Sequence, residues 1–188
     1  MDPQFVLWPF VVIGAAILLI AILQFNSLVG LRQLVRNSWA DVDVFLKRRA
    51  ELVPNLVEAV KAYAAHERTV LEAVVEARAR AATLAGSPAR RAEAEGELAH
   101  GLVQVLAVAE NYPELKASAN FADLQRQLGE AERHIADARQ YYNACVRDFN
   151  TKIESFPSNV VAAMGAFRQA EFFEAESPAE REAPVVRT

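Results

Sequence analysis

The chain has 188 residues and a formal net charge of −4, with 20 Lys and Arg against 24 Asp and Glu, so no basic field draws it to nucleic acid. Its single cysteine, Cys145, excludes an intramolecular disulfide and fits a reducing compartment. Glycine is scarce, and Ala, Leu, Val, Glu and Arg are abundant, a composition that favours helix throughout.

The first predicted element is the run from Phe5 to Phe25, which carries no ionisable side chain. As a helix of roughly 21 residues it is about 31 Å long, the thickness of a bilayer's hydrocarbon core. A cleaved signal peptide needs a basic start, a shorter apolar stretch and a small-residue cleavage site, and this segment has none of these. Residues 1–25 are therefore expected to be a retained transmembrane anchor, with lipid around residues 5–25. Arg32, Arg36, Lys47, Arg48 and Arg49 follow the span and no Lys or Arg precedes it. The positive-inside tendency then puts the N-terminus outside and the remainder in the cytoplasm.

Residues 26–155 read as one helical domain, about 130 residues long and able to bury its own core. Leu28, Leu31, Val35, Trp39, Val42, Leu46 and Val53 alternate in steps of three and four, the stripe of a helix running on from the anchor to about Leu52. Pro54 predicts a turn at Val53-Pro54-Asn55, with a kinked continuous helix as the alternative. A second helix, from Pro54 to Ala85, carries Leu56, Val60, Tyr63, Val70, Leu71, Val74 and Val75. Gly86-Ser87-Pro88 closes it and opens a third, with Ser87 as cap, which buries Leu98, Leu102, Val105, Leu106 and Ala109. The third helix stops near Asn111-Tyr112-Pro113, and a loop of about eight residues leads to a fourth helix from Phe121 to Ser155. These elements predict an all-α fold: an N-terminal transmembrane helix followed by an antiparallel, up-and-down four-helix bundle. Residues 156–176 form a Phe-rich, membrane-proximal segment, and 177–188 a disordered acidic tail.

Several stretches look like family motifs. Phe25-Asn-Ser-Leu-Val-Gly-Leu-Arg32, Asn37-Ser-Trp-Ala-Asp-Val-Asp43 and Leu46-Lys-Arg-Arg-Ala-Glu-Leu-Val-Pro-Asn-Leu-Val-Glu58 resemble the LemA family. So do Tyr63-Ala-Ala-His-Glu67, Ala109-Glu-Asn-Tyr-Pro-Glu-Leu-Lys116, Tyr141-Tyr-Asn143 and Phe156-Pro-Ser-Asn159. The resemblance covers about residues 25–176 and implies a bacterial membrane protein with a helical bundle and no assigned catalytic activity. It loosens after Val161, where Gly165-Ala-Phe-Arg-Gln169 replaces the expected Gly-Phe-Lys-Pro type of run.

Catalytic signals are weak. Glu97-Leu-Ala-His100 is a lone Glu-x-x-His, whereas di-iron bundles need two such motifs and two further glutamates. His66-Glu67 starts like a zinc-protease motif, but Val70 stands where the second histidine would be. Cys145 falls on the apolar stripe of the fourth helix and reads as a buried structural thiol. No catalytic residue, metal or cofactor is expected.

The charge run Asp41, Asp43, Lys47, Arg48, Arg49, Glu51 reads either as solvated helix-face pairs or as part of a partner surface. With about 25 residues of helix leaving the membrane, up-and-down topology brings Lys47–Asn55 and the Glu110–Lys116 loop together about 37 Å away. Arg48, Arg49, Asn55, Glu110, Asn111 and Tyr112 are the expected partner-binding residues. Phe156, Val160, Val161, Met164, Phe167, Phe172 and Phe173 lie back at the membrane, packed on the bundle's open end, on the bilayer surface, or against a neighbouring copy. Phe156, Met164, Phe167, Phe172 and Phe173 are the membrane-proximal candidates. The expected function is a membrane-anchored interaction or scaffold protein, with a protein partner or self-association and no nucleic acid. The alternative is a membrane-tethered sensor that binds a small ligand or peptide in the bundle, with Asn37, Asn143 and Asn150 as inward polar groups.

Overall fold

The computed structural model describes residues 3–83 and 87–174, with side chains from residue 8 onward. The expected helix end at Ala85, the Gly86 stop and the tail from residue 177 lie outside the described residues. Those described are all-α, with no strand among them. The helices are α1 (Pro3–Lys61), α2 (Arg68–Thr83), α3 (Pro88–Ala109), α4 (Pro113–Lys116), α5 (Ala119–Glu154) and α6 (Ser158–Met164).

The turn expected at Val53-Pro54-Asn55 does not form, because α1 continues through Pro54 to Lys61. A proline inside a helix has no N–H for the carbonyl four residues back, and its ring crowds that carbonyl. Here the carbonyl belongs to Ala50, and Nε of Arg78 in α2 donates to it at 2.7 Å. The acceptor that Pro54 orphans is satisfied from another helix, so the backbone need not turn there. The chain breaks instead after Lys61, where the amides of Tyr63 and Ala64 both donate to the Val60 carbonyl, at 3.1 and 2.8 Å. α2 opens when Leu71 donates to the Glu67 carbonyl at 3.2 Å.

The described residues divide into two compact units, one of residues 3–40 with 141–170 and one of residues 41–83 and 87–140 with 171–174. In the second, Leu56, Val60, Val74, Leu98, Val105, Leu115 and Phe121 are fully buried in one apolar cluster. Gly101 lets α2 and α3 approach closely, since a Cβ there would stand 3.3 Å from Cγ2 of Val74. Ser87 holds the N-cap place with extended backbone and Pro88 follows at the helix start, but the expected side-chain cap bond is absent. The eight-residue loop expected after α3 contains the single helical turn α4, which buries Leu115. Tyr63 and Val75, assigned to the core by spacing, are each 44% exposed.

In the first unit the core is narrow. Leu28, Val35 and Ser38 of α1 are buried, as are Tyr142, Cys145, Val146 and Phe149 of α5. The rings of Trp39 and Tyr142 meet at 5.3 Å. Residues Trp8 to Ile20 are all exposed, and the N-terminal part of α1 to which they belong is long and apolar enough to cross a membrane.

The Pro54–Ala50–Arg78 arrangement carries a double-mutant test. Arg78→Met is expected to cost about 1–2 kcal/mol, the scale of a hydrogen bond from a charged donor. In a Pro54→Ala background Ala50 regains its helical N–H, and the same substitution should cost less than about half as much. Thermal loss of far-UV helix signal in detergent measures both, and equal costs in the two backgrounds would show that Arg78 does not answer the proline.

Candidate functional site

Arg49, expected on an exposed partner surface, is only 2% exposed. It is buried because its charge is met on two sides. Nη1 donates to Oε1 of Glu132 in α5 at 2.8 Å, and Nη2 to Oε2 and the backbone carbonyl of Glu95 in α3, at 2.6 and 3.0 Å. Nε of Arg91 donates to the other oxygen of Glu95 at 2.8 Å, and the Arg91 guanidinium lies 3.7 Å from Asp43. Asp43, Arg91, Glu95, Arg49 and Glu132 thus form a chain of alternating charge that ties α1 to α3 and α5. The Nε of Arg49 is buried without a hydrogen-bond partner. This residue holds helices together and is withdrawn from the candidate partner surface.

The other candidates are reachable. Arg48, Asn55, Glu110 and Asn111 are exposed and Tyr112 is half-buried. α1 runs on past Pro54, and the turn at 62–67 that ends it meets the 110–118 connection. The Tyr112 hydroxyl donates to Oε1 of Glu67 at 3.3 Å. Burial first, then the Glu67 carboxylate, raises the Tyr112 phenol above its ordinary value of 10.0. The contact is therefore present below about pH 10 and lost as pH climbs through the raised pKa. Glu110 pairs with Lys116.

Between the end of α1 and α2 lies an open groove of about 700 Å³, with Val57, Leu71 and Val75 at its floor and Lys61, Arg68 and Glu76 around it. Of the asparagines proposed for an internal ligand site, Asn37 is exposed, Asn150 is committed to the backbone of Ala170, and Asn143 is half-buried. His100 is exposed beside Gln104, and Glu97 pairs with Arg80 at 3.0 Å. Among the described residues no three His, Cys, Asp or Glu side chains gather as a metal site would require.

In the first unit, the Phe-rich segment sorts into two sets. Phe167 is buried, its ring 5.6 Å from Phe25, 6.4 Å from Phe149 and 4.9 Å below the Arg32 guanidinium carbon. Asn150 accepts from the amide of Ala170 at 2.8 Å and donates to its carbonyl at 2.9 Å, holding the segment that follows Phe167. The turn leading in needs Gly165, because a Cβ there would fall 2.6 Å from the Phe167 ring. Ala166 takes the left-handed conformation at φ 51°. Phe156 and Met164 are the opposite case, each 84% exposed. Phe172 is partly exposed, and Phe173, in the other unit, is buried, so neither Phe167 nor Phe173 offers an apolar surface.

The family model described as "LemA family" matches residues 38–187. The chain belongs to the LemA family. Two similar curated proteins are the magnetosome proteins MamQ 1 and MamQ 2 of Paramagnetospirillum magneticum, each 25% identical over 183 residues, covering 84% of this chain and 67% of the relative. The magnetosome protein MamQ of Magnetospirillum gryphiswaldense is 22% identical over the same coverage. The LemA match starts at Ser38, past the apolar run, and contains every residue of the Arg49 network. The motif from Phe25 to Arg32 lies ahead of it.

The LemA-family network and corner give two tests. Arg49→Ala leaves Glu95 buried beside a cavity and should cost about 3–5 kcal/mol, while Arg48→Ala next to it should stay within about 0.5. Gly165→Val should drive Phe167 from its pocket, costing about 1–3 kcal/mol and opening the 165–170 segment to protease. Denaturation in detergent and limited proteolysis read these outcomes.

Proposed function

We propose that this LemA-family protein is a single-pass membrane protein whose cytoplasmic, antiparallel helical bundle serves as an interaction or scaffold module rather than an enzyme. The observation that carries the reading is the solvent-facing apolar run of α1, where Trp8 is 66% exposed, Leu18 62% and Leu19 58%. A helix apolar all round and uncovered by protein needs lipid around it. Arg32 and Arg36 after the run support a cytoplasmic C-terminal side and an N-terminus outside, in the inner membrane of a bacterium. Within the second unit, the pairs Phe45–His134 and Arg49–Glu132 support antiparallel packing of α1 and α5, since partners fall in α5 as they rise in α1. The magnetosome relatives are named for a place rather than a reaction, which agrees with a non-catalytic role.

The partner surface consists of Arg48, Asn55, Glu110, Asn111 and Tyr112, with Arg49 as its internal support. Tyr112 is its one large ring, held by Glu67, and an aromatic with a fixed pose is a good anchor. A second reading is favoured by the groove between α1 and α2: a regulator that takes an extended peptide along Val57, Leu71 and Val75. That site lies outside the core, unlike the internal ligand pocket expected from the asparagines.

In-cell photo-crosslinking from Arg48 and Tyr112, with Arg80 as control, separates these readings. The scaffold reading expects one heterologous adduct, shared by the first two positions and lost on Arg48→Glu. Self-adducts would make the surface a contact between copies. No adduct from either position, with the protein folded, discards the surface.

A further inference from the structure

The corner between α5 and the segment after α6 is built inside out. In α6 the buried positions are Ser158 and Ala162, whereas Val160 is 54% exposed and Met164 84%. Phe156, immediately before it, is also 84% exposed. A short helix that faces water turns its large apolar side chains inward and its small or polar ones outward. The reverse order fits an apolar medium outside the protein.

Internal contacts of this unit say which medium that is. Trp39 meets Tyr142. Seven residues earlier in α1 stands Arg32 and seven later in α5 stands Phe149, and both touch the ring of Phe167. Another seven residues lead to Phe25 and Phe156, and Phe167 touches Phe25 as well. Each full helical step is about 10.5 Å, and α5 ends at Glu154, two residues before Phe156, so Phe156 comes near the level of Phe25, where the apolar run ends.

Charge agrees with this position. The nearby cations are Arg32 above Phe167, Arg168 beside Phe167 in the chain, and Lys152, whose carbonyl accepts from the Ser158 hydroxyl at 2.6 Å. Against them stand Glu154, which accepts from Gln169, and Glu171, next in the chain after Ala170. In a chain of net charge −4, this group keeps a small positive excess.

We propose that the corner is a second membrane contact, in which Phe156, Val160 and Met164 enter the acyl–headgroup boundary of an anionic bilayer. Arg32, Lys152 and Arg168 lie on its headgroup side. The proposal rests on the reading of residues 5–25 as a span and adds a lipid-facing site more than 130 positions further along the chain. Two weak attachments at one level, apolar insertion and attraction to anionic headgroups, strengthen each other. They also fix the rotation of the unit about the span, which a single helix leaves free.

The test uses the full chain with Cys145→Ala, carrying Ile20→Cys, Met164→Cys or Val103→Cys labelled with bimane. Each is reconstituted into phosphatidylethanolamine–phosphatidylglycerol vesicles containing lipids brominated on their acyl chains. Quenching at position 164 should reach about half or more of that at position 20 and exceed that at position 103 by about threefold. Replacing phosphatidylglycerol by phosphatidylcholine should reduce it at 164 by about twofold and leave position 20 unchanged. Quenching at 164 no greater than at 103, with position 20 quenched, overturns the proposal. No quenching at position 20 overturns the span instead. Disulfide-linked dimers through Met164→Cys without lipid quenching would assign the corner to a second copy, also overturning it. An effect at 164 indifferent to lipid charge would overturn the headgroup contribution.

Discussion

A single guanidinium organises the unit that follows the apolar run. Arg49 donates to the side chains of Glu95 and Glu132 and to the Glu95 carbonyl, so α1, α3 and α5 share one buried cation. A charge taken out of water is tolerated only when its partners are close and correctly oriented. That requirement fixes the register of three helices at once, whereas an apolar stripe of Leu and Val would accept a slip of one turn at modest cost. Arg91 and Asp43 extend the alternation to the surface, where water completes it. A lysine has one donor head and could not reach two carboxylates and a carbonyl in this forked geometry.

One residue further on, backbone accounting imposes a second constraint. Pro54 withholds a hydrogen bond from Ala50, and Arg78 supplies it from α2. The two arginines, one bonded to side chains and one to backbone, connect a short stretch of α1 to every other long helix of the unit. Gly101 against Val74 then sets how closely α2 and α3 approach. Polar contacts thus place the helices, and the apolar cluster fills what lies between them.

Much of this fold was legible in local pattern. The α1 stripe through Leu28, Val35, Val42 and Leu46 is buried as its spacing predicts, and so is the α5 stripe from Phe121 to Phe149. The thiol of Cys145 lies inside, as its place on that stripe implies. What failed to show depended on residues far away in sequence. Pro54 reads as a stop because the donor that rescues Ala50 is 28 residues on. Arg49 reads as part of a solvated charge run because its acidic partners are 46 and 83 residues distant. The Phe-rich segment was recognisable as a group, but composition could not say that Phe167 turns in while Phe156 and Met164 turn out. A proline inside an otherwise unbroken apolar stripe, followed by an arginine on the next helix, was the one usable hint.

The outward Phe156 and Met164 bear on how the protein is handled in a tube. A fragment trimmed to remove the apolar run would still carry these side chains, together with Val160, into water. Apolar patches displayed in that way find each other, so, on the proposed membrane contact, a trimmed fragment would self-associate through a surface that lipid covers in the full chain. Its apparent stoichiometry would then describe the missing solvent rather than the protein's own assembly. Mild detergent kept throughout purification would cover both places at once and leave the remaining surfaces to declare their own partners.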